Sequence, residues 1–262
     1  MTSDSALIAA HGLNVAIGEL AICRDLHWTV RPGERWAILG RNGVGKSTLL
    51  STLAGLRAPE GGALQVAEVS LADPPTARQQ RQLARQRGYL AQRQNDPFPA
   101  TVLETALVGR HPHLGRWDWE SPADRRIAAS ALERLELGEL SERDVQTLSG
   151  GERQRLAVAQ LLTQQARLYL LDEPLAHLDL AHQVSVMELF RQQTAADAAL
   201  VAVLHEPGFA LRYCDYALLL FGNGRWLAGR AAEILNTSNL SLLYGHTLHL
   251  LHDAERQWFV PG

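Results

Sequence analysis

The chain has 262 residues, 46% of them apolar, and a formal charge of −3, which is long for one domain and short for two independent ones and so favours one core with an inserted or appended subdomain. The near balance of charge leaves no sequence-wide positive field and argues against nucleic acid as partner. Cys23 and Cys214 stand far apart and outside any C-x-x-C spacing, which argues against a disulfide framework or a zinc ribbon and fits a reducing cytoplasm.

The opening MTSDSALIAAHGL lacks a basic stretch followed by a long apolar core, and no apolar run approaches the roughly 18 residues needed to span a bilayer. The expectation is a soluble chain whose membrane role, if it has one, runs through a partner. LNVAIG (13–18), LHWTV (26–30) and RWAILG (35–40) read as strands, and RPGE (31–34) as a turn in which Pro32 fixes φ and Gly33 supplies the bend. RWAILG feeds straight into GRNGVGKST (40–48), a match to G-x-x-x-x-G-K-[ST], and KSTLLSTLAGL continues as a helix with apolar positions on one side. In that strand-loop-helix context Gly40, Gly43 and Gly45 let backbone approach a nucleotide's phosphates, with amides at the helix start meeting the negative charge. Lys46 is expected to reach the β- and γ-phosphates, Ser47 to ligate Mg²⁺ and Thr48 to add a phosphate hydrogen bond.

Between about 95 and 148 the texture turns to Pro, His and Trp and then to helical periodicity. In SPADRRIAASALERLEL (121–137), Ser121 can cap, Pro122 suits the first helical position and Asp124 the first turn, while Ile127, Ala131, Leu132 and Leu135 share one face. A mostly helical subdomain inserted into an α/β core is expected over about 95–160. LSGGERQR (148–155) opens a further helix, so Ser149, Gly150 and Gly151 form a second anion-binding device from a hydroxyl, exposed amides and a helix N-terminus. One nucleotide does not need two such devices from one chain. The economical arrangement is two copies facing head to tail, each device closing on the γ-phosphate held by the other's glycine loop.

LYLLDEP (168–174) and ALVAVLHE (199–206) are apolar runs with charged ends, as in strands of a parallel sheet covered on both faces with ligands at its carboxyl edge. Asp172 can hold the Mg²⁺ shell, and Glu173 can orient and partly deprotonate an attacking water. From LYGHTLHLLHD to QWFVPG the tail reads as short strands and turns.

GRNGVGKST, Gln92 in YLAQ, LSGGERQ, LLDEP, the HLD at 177–179 and His205 in LHE, in that order, resemble the ATP-binding-cassette ATPases over essentially the whole chain. The resemblance implies an α/β fold: a P-loop NTPase core with an antiparallel β subdomain and the inserted α-helical subdomain, forming a single nucleotide-binding domain over 1–262 with a small C-terminal extension at about 235–262. It implies ATP and Mg²⁺ as cofactors, Asn42 among the nucleotide-binding residues of the glycine loop, Gln92 contacting Mg²⁺ and sensing membrane subunits, Asp179 at the dimer seam and His205 touching the γ-phosphate. Its partners on this reading are a second copy, integral membrane permease subunits and, indirectly, a periplasmic substrate-binding protein, with the chain peripheral on the cytoplasmic face of the inner membrane. Two departures stand out. Ile17 occupies the position where the family commonly stacks an aromatic ring on adenine, and Ala176 and His177 replace the usual Ser and Ala before Leu178 and Asp179.

GRHPHLGRW (109–117), DLAHQV (179–184), RYCDY (212–216) and LYGHTLHLL (243–251) resemble the importer branch for ferric siderophores, cobalamin and haem, which also includes molybdate-type importers. The reading is therefore an ATPase subunit of a metal-chelate importer. The alternatives are an exporter or lipid-moving cassette, a non-transport cassette working on DNA or ribosomes, and a binding-only clamp, which the retained Glu173 disfavours. His111, His113, His246, His249 and His252 are read as surface or packing histidines, because no cysteine or paired carboxylate accompanies them at ligand spacing. Phe98, Leu114 and Trp117 either present a surface to a short helix of a membrane subunit or close the helical subdomain's own small core.

Overall fold

The structure, a computed structural model, describes residues 5–71, 75–92, 99–115, 117–195, 197–253 and 256–262; Phe98 lies outside them. In chain order the elements are β1 (Ile8–Ile17), β2 (Leu20–Val30), β3 (Arg35–Gly40), α1 (Lys46–Leu53), β4 (Gly61–Val66), β5 (Val69–Ser70), α2 (Ala77–Gln86), β6 (Arg87–Leu90) and α3 (Val102–Leu107). After a 3-10 turn over Val108–His113 come α4 (Pro122–Glu133), α5 (Gly150–Thr163), β7 (Leu168–Asp172), α6 (Leu180–Ala195), β8 (Ala199–Val203) and α7 (Pro207–Tyr213). The chain closes with β9 (Tyr216–Gly222), β10 (Arg225–Arg230), α8 (Ala231–Ile234), α9 (Thr237–Tyr244) and the hairpin β11 (Leu248–Asp253) and β12 (Arg256–Pro261).

A six-stranded sheet in the order β10-β9-β3-β8-β7-β6 forms the centre, parallel throughout except for β10 at its edge. Successive side chains of a strand point to opposite faces, and here both faces are apolar. Ala37, Leu39, Tyr169, Leu171, Leu200 and Ala202 join one core with α3 to α6, whereas Trp36, Ile38, Leu168, Leu170, Val201 and Val203 join a second core with β1, β2 and α1. That double covering explains why the sequence of β7 and β8 is unbroken rather than alternating. A four-stranded antiparallel sheet, β2-β1-β4-β5, closes the second core.

The helices of the middle block are started by local chemistry. α2, α3, α4 and α5 each open with a reciprocal capping box, at Thr76/Gln79, Thr101/Glu104, Ser121/Asp124 and Ser149/Glu152. On α4 the buried face is Asp124, Ala128, Ala131 and Leu132, with Leu135 following it. Ile127, expected on that face, is half-buried at its edge, and Ala128 takes the core position. Asp124 is buried but satisfied: Arg110 Nε donates to it at 2.7 Å and also binds the Thr163 carbonyl through Nη1, tying the GRHPH segment to α4 and α5. The Ser121 hydroxyl and amide, followed by Arg110, hold the Asp124 carboxyl down at about 2. No helix among the described residues is long and apolar enough to cross a membrane.

Candidate functional site

The site begins where β3 runs out of buried sheet at Gly40. A Cβ there would stand 2.8 Å from the Leu220 carbonyl oxygen and 2.9 Å from Val44 Cγ1, so only glycine lets the loop leave the sheet at this angle. Gly45 caps α1 with φ 100°, a left-handed conformation, and its missing side chain is replaced by Ile22 of β2, which packs directly on it. A glycine cap supplies no side-chain acceptor, so the first amides of α1 stay available for an anion. Asn42 and Gly43 are exposed at the crest of the loop, and Thr48 is half-buried with its carbonyl accepting from Ser51 and Thr52 hydroxyls.

Lys46 is 6% exposed and folds back over the loop, donating from Nζ to the carbonyls of Gly40 at 2.9 Å and Arg41 at 3.1 Å. Burial pushes its ammonium below the ordinary lysine range, opposed by the nearby Glu173 and Asp172. Asp172, at the carboxyl end of β7, is 2% exposed. Burial raises its pKa; a hydrogen bond from the Ser47 hydroxyl and the charge of Lys46 oppose that rise, and Glu173 adds to it. Its Oδ1 is buried without a hydrogen-bond partner among the described residues. An orphaned hard oxygen beside a serine hydroxyl is a donor set suited to a divalent cation such as Mg²⁺, which takes carboxylate and hydroxyl oxygens.

Strand order then brings in residues distant in the chain. Asp172 pairs with Val203 across β7 and β8, so Glu173 and His205 emerge together, with His205 Nε2 2.8 Å from Glu173 Oε1. Glu173 itself has φ 54°. A cavity of about 130 Å³ opens beside the pair, lined by Leu175, Ala176, Gln183 and Phe209 among others. β6 pairs with β7 at Leu90 and Leu171, which puts exposed Gln92 beyond the same carboxyl edge. Ile17 ends β1, paired with Leu20 and 47% exposed, on the hairpin whose Ile22 packs against Gly45.

Ser149, Gly150 and Gly151 start α5 elsewhere. Ser149 is exposed; its amide donates to Glu152 at 2.7 Å and its hydroxyl accepts the Glu152 amide at 3.3 Å. The two glycines abut His177, whose carbonyl would be 3.3 Å from a Cβ at Gly151. Exposed Asp179 caps α6, accepting from the His182 amide at 2.9 Å and its Nδ1 at 2.8 Å, contacts that hold its carboxyl below the usual range. Lys46, Ser47, Asp172, Glu173 and His205 thus form one cluster, with Ser149 to Gly151 and Asp179 on separate exposed helix starts. Sequence reasoning assigned nothing to Gln154 and Gln183, whose amides bind carbonyls of the 174–178 backbone; the only signal was that LSGGERQ and DLAHQV contain them.

His113 Nε2 lies 2.8 Å from the Gln164 carbonyl oxygen, a packing contact, and no group of three metal-ligating side chains occurs among the described residues; the side chain of His252 is outside that set. Trp117 and its neighbour Trp119 are 84% and 88% exposed, so Trp117 does not close a core. Together with Leu114 they line an open cavity of about 340 Å³.

A phosphate loop, a buried carboxylate beneath it, a glutamate–histidine pair at the sheet edge and a serine-glycine helix start coincide with a family match: the model described as ABC transporter covers residues 23–176. The chain belongs to the ABC transporter family. It is 36% identical over 266 residues to the hemin import ATP-binding protein HmuV of Burkholderia ambifaria, covering 95% of this chain and 97% of that protein. It is 37% identical over 215 residues to the cobalamin import ATP-binding protein BtuD of Halobacterium salinarum, covering 82% of this chain and 52% of that protein. Among solved structures, a metal-chelate type ABC transporter in an inward-facing conformation matches with a TM-score of 0.84 and 28% identity over 98% of both chains. As an ABC-transporter ATP-binding protein, the chain binds nucleotide and is an ATPase that powers transport.

Proposed function

We propose that the chain drives the import of a metal chelate, of the haem, cobalamin or ferric-siderophore class, by hydrolysing ATP between two head-to-tail copies docked on permease subunits. The observation that carries this reading is full-length similarity to import ATP-binding proteins, 36% over 95% of this chain for HmuV, combined with the Lys46–Asp172–Glu173–His205 cluster. On this reading the chain is one nucleotide-binding domain with a helical insert at about 95–160 and an extension at about 235–262. It sits peripherally on the cytoplasmic face of the inner membrane, and a periplasmic binding protein acts only through the permease.

In the proposed chemistry Lys46 exchanges the Gly40 and Arg41 carbonyls for the β- and γ-phosphates, which restores full charge compensation to a buried ammonium. The loop amides of Gly43 to Thr48 cradle the phosphates. Ser47 and Asp172, joined by Gln92, would hold Mg²⁺, which when bound would neutralise charge on the phosphates. Glu173 takes a proton from the attacking water, and His205 steadies its carboxylate and reaches the γ-phosphate. Ser149, Gly150 and Gly151 offer a dipole and amides to the partner copy's γ-phosphate, and Asp179 meets the partner at the seam.

Uptake tests the proposal directly. The chain is co-expressed with its cognate permease and binding protein and reconstituted in proteoliposomes, and ATP-dependent uptake of haem, cobalamin and a ferric siderophore is compared. Accumulation of one chelate is expected; ATP hydrolysis with no stimulation by any loaded binding protein sinks the importer reading.

Two further outcomes follow from particular side chains. Ile17 packs on a base without a π-face, so discrimination of ATP from GTP is expected to stay below about a hundredfold in competition binding, since stacking is worth only on the order of 1 kcal/mol or so beyond area burial. The surface of Leu114, Trp117 and Trp119 is proposed to receive a short helix of the permease. Trp117→Glu with Trp119→Glu is expected to cut transport roughly tenfold or more, the usual cost of removing interface anchors, while the isolated chain's ATPase is unchanged; wild-type transport would count against it.

A further inference from the structure

Between Glu173 and α6 the backbone follows a turn that its own sequence disfavours. Glu173 at φ 54° and His177 at φ 62° both occupy the left-handed region, where a Cβ crowds the backbone. Pro174 brings no amide to the turn. Within the turn Ala176 N donates to the Glu173 carbonyl at 3.2 Å, and the bond from Leu178 N to the Leu175 carbonyl is long at 3.4 Å. Strained backbone of this kind persists only where its surroundings hold it.

The hold comes from two helices. Gln154 of α5 donates from Nε2 to the buried Pro174 carbonyl at 3.0 Å. Gln183 of α6 donates from Nε2 to the Leu178 carbonyl at 3.1 Å and the Leu175 carbonyl at 3.3 Å. His182 grips the end of the turn through Asp179, and its Nε2 lies 3.7 Å from Glu136, itself 3.9 Å from Arg155 of α5. These glutamine amides neither titrate at working pH nor attack substrate, so their contribution to chemistry is placement.

We propose that Gln154 and Gln183 are positioning residues that set Glu173 by fixing the 174–178 backbone. The inference rests on the reading of Glu173 as the base, and it adds a connection that reading lacks. Gln154 lies on the helix whose Ser149 to Gly151 start closes on the partner's nucleotide. One hydrogen bond therefore joins the device that senses one nucleotide to the turn that carries the base for the other.

The test uses the full chain with Gln154→Leu, Gln183→Leu and the near-isosteric Gln154→Glu and Gln183→Glu, measuring kcat, KM for ATP and Tm. A displaced base of about 1 Å costs up to roughly a hundredfold, so kcat is expected to fall about 10- to 100-fold with KM within about threefold and Tm little changed. The Glu variants are expected to match the Leu variants, because an acceptor oxygen has replaced the donor. Leu variants with wild-type kcat overturn the proposal, as do Glu variants that restore kcat, and as does a joint collapse of kcat, KM and Tm in all four, which marks a merely structural role. Glu173→Gln in the same assay separates the two levels: if it hydrolyses normally the base assignment falls, whereas if it is slow and the glutamine variants are normal the positioning alone falls.

Discussion

Glu173→Gln slows steady-state ATP hydrolysis by roughly 10²- to 10⁴-fold, the scale of a lost general base, while ATP binding stays intact. The substitution keeps size and shape and removes only the proton acceptor and its charge. His205 Nε2, 2.8 Å from Glu173 Oε1, retains an oxygen to donate to, so the local geometry is preserved. The hydrogen bonds of the phosphate-binding side do not run through Glu173, because Lys46 donates to the loop carbonyls and Ser47 to Asp172, and only the charge of Glu173 felt by Lys46 and Asp172 is removed. With hydrolysis blocked and the γ-phosphate in place, the closed two-copy state accumulates. Single-turnover phosphate release, paired with gel filtration in ATP and Mg²⁺, checks both parts. Turnover near wild type would remove Glu173 from the role of base, and slow turnover without a larger species would leave the base in place but sink the clamp.

The parts of the fold legible in the sequence are those where two signals coincide. β3, the glycine loop and α1 were readable because an apolar run, a turn of positive-φ glycines and an amphipathic helix follow in register with one chemical template. β7 and β8 were readable because both faces of the central sheet are covered, Leu168 and Leu170 entering one core and Tyr169 and Leu171 the other. β6 was not: it has only four residues, and its Gly88 is there because a Cβ would meet Leu161 Cδ1 at 2.7 Å, a tertiary reason invisible locally. α2 buries only Leu83, so it carries no apolar period to read.

For the site, the residue types were legible locally, and the expectation that they meet at one nucleotide came from motif templates and the family resemblance rather than from any local pattern. Lys46 and His205 lie far apart in the chain, and no local pattern states that β8 inserts between β3 and β7. That strand order alone puts Glu173 and His205 side by side. The left-handed turn after Glu173, and the two glutamine amides converging on it, had no sequence signal, since a side-chain amide bound to a backbone carbonyl needs only reach and orientation.

Mixing two inactive variants restores hydrolysis if each site is built from two copies, and this is the largest effect expected of the dimer. Lys46→Ala removes the buried ammonium proposed to hold the phosphates, and Ser149→Arg blocks the exposed start of α5. Each alone disables both sites of its own homodimer, with a loss of roughly 10²- to 10³-fold expected from removing one preorganised charge-stabilising group. In a mixed dimer both lesions fall on one site, and the other combines an intact loop from the Ser149→Arg chain with an intact α5 start from the Lys46→Ala chain. Half the dimers in an equal mixture are mixed and each has one good site of two, so recovery to about a quarter of wild-type turnover is expected from two-fold pairing. The wild-type rate per chain is also expected to fall on dilution as dimers dissociate. A chain that hydrolyses at a constant rate per molecule down to nanomolar concentration, with Ser149→Arg active and no rescue on mixing, would complete its site alone and leave the serine-glycine helix start without this purpose.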